Sequence, residues 1–258
     1  MILSEPIGAH LPWGRADEFL DLLLELGLTA EIAFKGPDFD HLDAAAVGRL
    51  TRRLQQAGRR PTVHAPFFDL NPGALDPLIR EVTRHRLEQT LTVAETLHAR
   101  LIVVHPGVDD WRYPGLQQEW LRLAVDVLRP LVARAAAGQY HIAVENIYER
   151  TPTSLCALVD TLDSPWFGHC FDIGHWRLFA ATPMDVWLDA LGERLLHLHL
   201  HDNHGSADEH LPIGAGRIDF DLFCRLLQRT PARPSVTLEA HSPEHLLISL
   251  RHLRDRLA

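Results

Sequence analysis

The chain has 258 residues, 46% hydrophobic and 23% charged, and its 25 Lys and Arg against 34 Asp and Glu leave a formal charge of −9. That balance fits a globular protein with a substantial core and counts against a broad basic face for gripping nucleic acid. No run of about 18 apolar residues is present, which excludes a membrane-spanning helix. The opening MILSEPIGAH lacks the basic-then-apolar pattern of a secretion signal. Cys156, Cys170 and Cys224 are scattered without a CxxC pair, which fits a reducing cytoplasm rather than a disulfide framework.

Short aliphatic runs alternate with longer helical patterns from end to end. Strands are predicted at 6–10, 30–34, 61–65, 101–105, 141–145, 168–173, 195–201 and 235–240, each of the length of a parallel strand covered by helices. The clearest helical pattern lies at 74–99, where Leu78, Val82, Leu87, Leu91, Ala94 and His98 follow a three-to-four spacing. An amphipathic stretch at 114–137 reads as an outer helix able to face solvent or a partner. Asp76-Pro77, Thr151-Pro152, Thr182-Pro183 and Ser242-Pro243 each put a capping side chain before a proline suited to the first helical position. Eight evenly spaced strand–helix units, with no linker or low-complexity tract, predict a single (β/α)8 barrel over residues 1–258.

In such a barrel, functional groups stand where strands run into the following loops. Those ends carry His10, Lys35 (the only lysine), His64, His105, Glu145, Asp172 with His175, His199 with His201, and Glu239. One strand ending in a histidine or an acid is usually a hydrogen-bonded structural residue. Six consecutive ends of this kind are different, because converging polar groups repel or stay unsatisfied unless a cation sits between them. Imidazoles mixed with carboxylates suit Zn²⁺, Mn²⁺ or Fe²⁺ better than Ca²⁺ or Mg²⁺. In HLHLHD, alternation puts His197, His199 and His201 on one strand face. His197 and His201 read as inner packing or hydrogen-bond support. Asp208 and His210 in the following loop read either as ligands or as solvated residues.

These motifs resemble the xylose isomerase-like TIM barrels, which include AP endonuclease family 2 (endonuclease IV-like) and sugar-phosphate isomerases and epimerases. The matches are IGAH (7–10), VHAP (63–66), VVHPG (103–107), VEN (144–146), FDIGH (171–175), LHLHD (198–202), DEHLPIGAG (208–216) and LEAH (238–241). The endonuclease branch implies a trinuclear zinc site with ligands at His64, His105, Glu145, Asp172, His175, His199, Asp208, His210 and Glu239. The isomerases and epimerases imply a smaller set, Glu145, Asp172, His199 and Glu239, around one Mn²⁺ or Zn²⁺. There the two glutamates act as acid and base on a ketose, and His175 touches substrate. Several epimerases also place an arginine six residues after the strand-seven histidine, where this chain has Gly205.

A one-ion epimerase has no chemical need for His64, His105, Asp208 and His210. The leading expectation is therefore a multinuclear metal hydrolase that cleaves a phosphoester in a small or nucleotide-like molecule, with Zn²⁺ preferred, up to three ions, and Mn²⁺ or Fe²⁺ as alternatives. Glu145 would bridge two ions, and Glu239 would orient the attacking water. The alternatives are a sugar or sugar-phosphate isomerase or epimerase, and a non-catalytic metal- or sugar-binding barrel. Lys35 and Arg177 are expected either to hold a phosphate or to be ordinary surface cations. Phe67 and Trp111 are expected to line the substrate pocket, near Arg112, Tyr113 and Tyr148, while His10, Asn146 and His201 brace the ligands. The short acidic GPDFD (36–40) and the IYERTP stretch after Asn146 depart from a loop set that probes duplex DNA. A cytoplasmic enzyme of a small phosphoester or sugar phosphate is thus expected, its oligomeric state open.

Overall fold

The computed structural model describes residues 6–109 and 111–257. Among them, eight parallel strands close into a barrel in sequence order: β1 (Gly8–Pro12), β2 (Thr29–Ala33), β3 (Thr62–His64), β4 (Leu101–Val104), β5 (His141–Glu145), β6 (Phe167–Asp172), β7 (Leu195–Leu200) and β8 (Ser235–Leu238). The helices are α1 (Ala16–Glu25), α2 (Ala44–Gln56), α3 (Pro77–Thr96), α4 (Gln117–Gly138), α5 (Thr153–Leu162), α6 (Ile173–Phe179), α7 (Met184–Leu191), α8 (Phe220–Arg229) and α9 (Pro243–Leu257). The predicted barrel is what forms, with strand ends shifted by one or two residues. His105, His201 and Glu239 lie just past the last residues of β4, β7 and β8.

Alternation divides each strand between two environments. Ile102, Val104, Ile142, Val144, Phe171, Leu198 and Leu200 are buried in the main core beneath the helices, whose Trp120, Leu128, Leu158, Trp187 and Phe223 meet them there. The intervening residues Leu101, Val103, Ala143 and Cys170 form a separate small cluster. Burying a large aliphatic side chain contributes about 1.5–3 kcal/mol, so the strand–helix layer dominates the fold. Register then sets the height of the polar residues: Glu145 pairs with Cys170, Asp172 with His199, and His199 with Thr237, with an irregularity between His169 and Cys170.

Three local expectations are corrected. Helix α3 runs Pro77–Thr96, not 74–99, and Leu78 and Val82 are 73% and 51% exposed. Nine positions at about 100° each carry Leu87 half a turn round from Leu78, so the apparent stripe was two faces; Leu87, Leu91 and Ala94 are buried, and His98 stands exposed beyond the helix with φ 52°. Asp76 and Ser242 do cap, accepting from the Leu78 and His245 amides. Thr151 and Thr182 do not: α5 and α7 begin one residue after Pro152 and Pro183, without a side-chain cap. Helix α4 begins at Gln117, not 114, and turns Trp120, Ala124, Leu128 and Leu131 to the core.

The long β7–α8 loop is shaped by one carboxylate. Asp202 is fully buried and accepts backbone N–H groups from Asn203 and Ile218 on Oδ1, and from Gly214 and Gly216 on Oδ2, at 2.8–3.1 Å. Its own backbone pairs with Leu211. A Cβ at Gly216 would come within 2.3 Å of Asp202 Oδ1, so the loop closes over it only with glycine there. Among the described residues, no helix is long and apolar enough to cross a membrane, and Cys156, Cys170 and Cys224 are free thiols.

Candidate metal centre

Glu145 ends β5 at the C-terminal mouth and is 1% exposed. Its Oε2 lies 3.2 Å from both His64 Nε2 and His105 Nε2, and its Oε1 lies 3.2 Å from both His175 Nδ1 and His199 Nδ1. His199 Nδ1 is also 3.4 Å from Glu239 Oε1 and 3.9 Å from Asp172 Oδ2. On the far side of His175, Nε2 stands 3.4 Å from Asp208 Oδ2, which in turn is 3.0 Å from His210 Nε2. All nine residues expected as ligands are therefore brought to one mouth, the loop pair Asp208 and His210 included.

The donor set fits divalent cations. Donors about 2.0–2.1 Å from a tetrahedral ion stand about 3.3 Å from one another, close to the spacings found here. Buried His199 Nδ1 and His210 Nδ1, which both face Glu239, have no hydrogen-bond partner among the described residues, and a bound cation would satisfy such lone pairs. The groups His64–His105–Glu145 and His201–His210–Glu239 each bring three potential ligand atoms within 4.8 Å.

The supporting contacts explain the placement. Asp172 Oδ1 accepts from the His175 amide at 2.6 Å and so caps α6, leaving Oδ2 for the centre. Asn146 braces both strands: its amide donates to the Asp172 carbonyl at 2.9 Å, accepts from the Asp172 N–H at 2.8 Å, and its own carbonyl lies 3.1 Å from His175 Nδ1. His10 Nδ1 approaches Glu239 Oε1 at 3.8 Å. His201 does more than pack: Nε2 is 3.2 Å from Asp172 Oδ2 and 3.8 Å from both Glu239 Oε2 and Asp208 Oδ1. A Cβ at Gly174 would lie 2.0 Å from the His201 ring, so only glycine lets that ring sit there.

Around the centre, Phe67 stacks on His105 with ring centroids 4.2 Å apart. Phe67, Phe68, Ile79, His105, Tyr113 and Tyr148 help line a cavity of about 630 Å³. The four remaining expectations divide. Phe67 is at the cavity, but Trp111 is 88% exposed and is not part of its wall. Lys35 is exposed at the start of a 3-10 turn (Gly36–His41), its amide bonded to Asp38, and among the described residues it touches none of the nine. Arg177 packs over Gly205, where a Cβ would come within 3.1 Å of its guanidinium. Neither cation lines the cavity; Arg112, which does, is ion-paired with Asp109. Strand ends reveal rim residues, whereas the direction of a long loop side chain depends on packing that no spacing records.

Sequence reasoning missed Glu31. This fully buried residue of β2 places Oε1 2.8 Å from His199 Nε2 and Oε2 2.9 Å from His197 Nε2. A lone acid alternating with apolar residues in a predicted strand was the available signal.

Burial alone would push the Glu145 carboxyl up, but the surrounding His199 and His105 imidazoles hold it well below the usual range. Burial opposed by His199 and His210 leaves Glu239 at about 2. For His199, burial is overcome mainly by Cys170, Glu31 and Glu239, and its pKa is raised well above normal. Burial of His210 is outweighed by Asp208 and Glu239, raising it to about 9. Raised folded-state values stabilise the metal-free protein fully below the unfolded value of about 6.5 and are lost as pH rises through about 9. Metal must displace those same protons. Chelated protein should melt at progressively lower temperature between pH 6.5 and 9, while the rise in Tm on adding Zn²⁺ grows; a zinc-induced rise independent of pH would contradict these protonations.

The family described as the xylose isomerase-like TIM barrel matches residues 20–256. The chain belongs to that family. A structure titled D-tagatose 3-epimerase-like protein superposes with TM-score 0.85 at 26% identity, covering 98% of this chain and 97% of that one. The TTHB071 protein from Thermus thermophilus, soaked with ZnCl2, gives TM-score 0.84 at 30% identity, covering 98% of each chain. A probable endonuclease 4 of Mycobacterium ulcerans is 26% identical over 203 residues, 70% of this chain and 73% of that protein. The match to the uncharacterized protein MJ1311 of Methanocaldococcus jannaschii, at 35% identity over 166 residues, covers 61% of this chain and 56% of that protein. Of these matches, the one that names a sugar epimerase covers 98% of this chain and 97% of that one, whereas the one that names an endonuclease covers 70% and 73%.

Proposed function

We propose that the chain is a divalent-metal-dependent isomerase or epimerase of a small sugar, working at Glu145, Asp172, His199 and Glu239. The observation that carries this reading is the approach of two carboxylates to one imidazole nitrogen, Glu145 at 3.2 Å and Glu239 at 3.4 Å from His199 Nδ1. A ketose held there offers the carbon beside its carbonyl to both glutamates. One takes the proton from that carbon as base, and the other, carrying a solvent-derived proton, delivers its own as acid. A bound cation, Zn²⁺ first and Mn²⁺ or Fe²⁺ next, supplies polarisation of the carbonyl. Asn146 pins Asp172, and the ring faces of Phe67 and Tyr148 offer apolar walls to the sugar. Because the arginine lining the cavity is already paired with Asp109, the walls favour a neutral small molecule over a phosphate or duplex DNA. The likeness to the D-tagatose 3-epimerase-like protein supports the same reading.

A second reading, phosphoester hydrolysis at up to three zinc ions, is favoured by the donors a one-ion epimerase does not require. His64 and His105 meet Glu145 Oε2, and His175, Asp208 and His210 form a group of their own. Incubation with ketoses in deuterated water decides between them. Solvent deuterium entering at C1 or C3, lost in Glu145→Gln and in Glu239→Gln, is the expected result. Release of the leaving group from an aryl phosphodiester, without exchange and with three ions per chain, overturns it in favour of hydrolysis.

A further inference from the structure

Beneath the proposed ligands lies a polar network in the barrel interior that neither reaction uses directly. Glu31 Oε2 accepts from Thr62 Oγ1 at 2.8 Å and from Thr237 Oγ1 at 3.0 Å, and meets His197 Nε2 at 2.9 Å. His197 Nδ1 is in turn 2.6 Å from Ser235 Oγ, which fixes the ring from its other edge. Two hydroxyls and an imidazole, from strands β3, β7 and β8, thus anchor one end of the β2 carboxylate, and a third hydroxyl holds the imidazole. The other oxygen, Oε1, lies 2.8 Å from His199 Nε2. That approach is off the hydrogen-bond line, yet among the described residues neither atom has any other hydrogen-bond partner. Fully buried, each would carry a desolvation cost of about 1–3 kcal/mol if left unmatched.

We propose that Glu31 is a positioning residue for the metal centre: it holds the His199 ring so that Nε2 carries the proton and the Nδ1 lone pair faces Glu145, Asp172 and Glu239. The reasoning needs no particular reaction and so stands apart from the sugar reading. A neutral imidazole has one donor and one acceptor nitrogen, and the bond made by one decides the role of the other. A buried carboxylate behind a histidine also makes its distal nitrogen more basic, and losing such a partner typically weakens metal binding 10–100-fold. The hydroxyls of Thr62 and Thr237 keep Glu31 itself from swinging toward the centre.

The test is Glu31→Gln in the full chain, which keeps shape and removes charge. In either amide orientation the His199 ring loses its anionic partner. Competition against a chelator should show zinc affinity about 10–100-fold weaker, and the rise in Tm on adding Zn²⁺ should shrink in addition to whatever the metal-free Tm loses with the buried counter-charge. In zinc-loaded wild-type protein, proton NMR should show a strongly downfield, exchange-protected imidazole N–H, absent from Glu31→Gln and from His199→Gln. Wild-type zinc affinity in Glu31→Gln overturns the proposal, as does a drop confined to the metal-free Tm. Should Glu31→Gln fail to fold, the wild-type spectrum decides alone: no protected N–H assigned to His199 sinks the idea.

Discussion

Replacing Glu145 with glutamine should empty the proposed centre of metal and abolish activity together. Each oxygen of this buried carboxylate faces two imidazoles at 3.2 Å, so among the described residues none touches more of the proposed ligands. The amide carries no charge, and its NH2 end presents protons to the very imidazole nitrogens that must stay bare. Without metal, the protonated histidines lose their shared counter-ion, a loss of about 3–5 kcal/mol for a buried pair broken on one side. The reaction also loses one of its two proton-transfer groups, worth about 10²–10⁴-fold in rate. Elemental analysis, a melting curve and the deuterium assay on one preparation check all three effects. A fully metallated, active Glu145→Gln protein would remove Glu145 from the centre.

The second large effect is expected away from the ligands. Asp202→Ala withdraws the acceptor for four backbone N–H groups, and one such group left unmatched already costs about 1–3 kcal/mol. The loop that carries Asp208 and His210 should open, while the strand-borne Glu145, Asp172, His199 and Glu239 keep their places. Limited proteolysis should then cut between 203 and 218, and bound zinc should fall. The variant also separates the two chemistries. Sugar exchange through the four strand-borne residues should survive within about tenfold, a loss near 1.4 kcal/mol, whereas hydrolysis that needs the His175–Asp208–His210 group should vanish. A loop that stays protected from protease would show that Asp202 does not set its shape.

The barrel and the rim were legible in the sequence for a simple reason. Period-two alternation and strand spacing fix which residues arrive at the mouth, so His64, Glu145, Asp172 and His199 could be placed from the chain alone. Asp208 and His210 were ambiguous because a loop has no period; their location follows from Asp202, whose four bonds reach as far as Ile218. Glu31 escaped notice because the second strand was read at its mouth, where Lys35 stands, and not along its inner face. The α3 pattern failed for the opposite reason: apolar spacing was present, yet Leu78 and Leu87 belong to opposite sides of one helix. Side chains that reach into loops, such as Trp111 and Arg177, were the least predictable, since their directions are decided by neighbours distant in sequence.

The two oxygens of Asp172 have separate tasks, one holding the first turn of α6 and the other turned to the centre. Because the helix start also delivers His175, a single turn orients two of the nine residues as the backbone forms. Preorganisation of this kind shifts the entropic cost of arranging the site onto folding, so an arriving ion would meet a socket already shaped instead of assembling one. Exchange of one divalent ion for another should accordingly proceed without a detour through a disordered chain, and selectivity among them would be set by the fixed spacing of the donors.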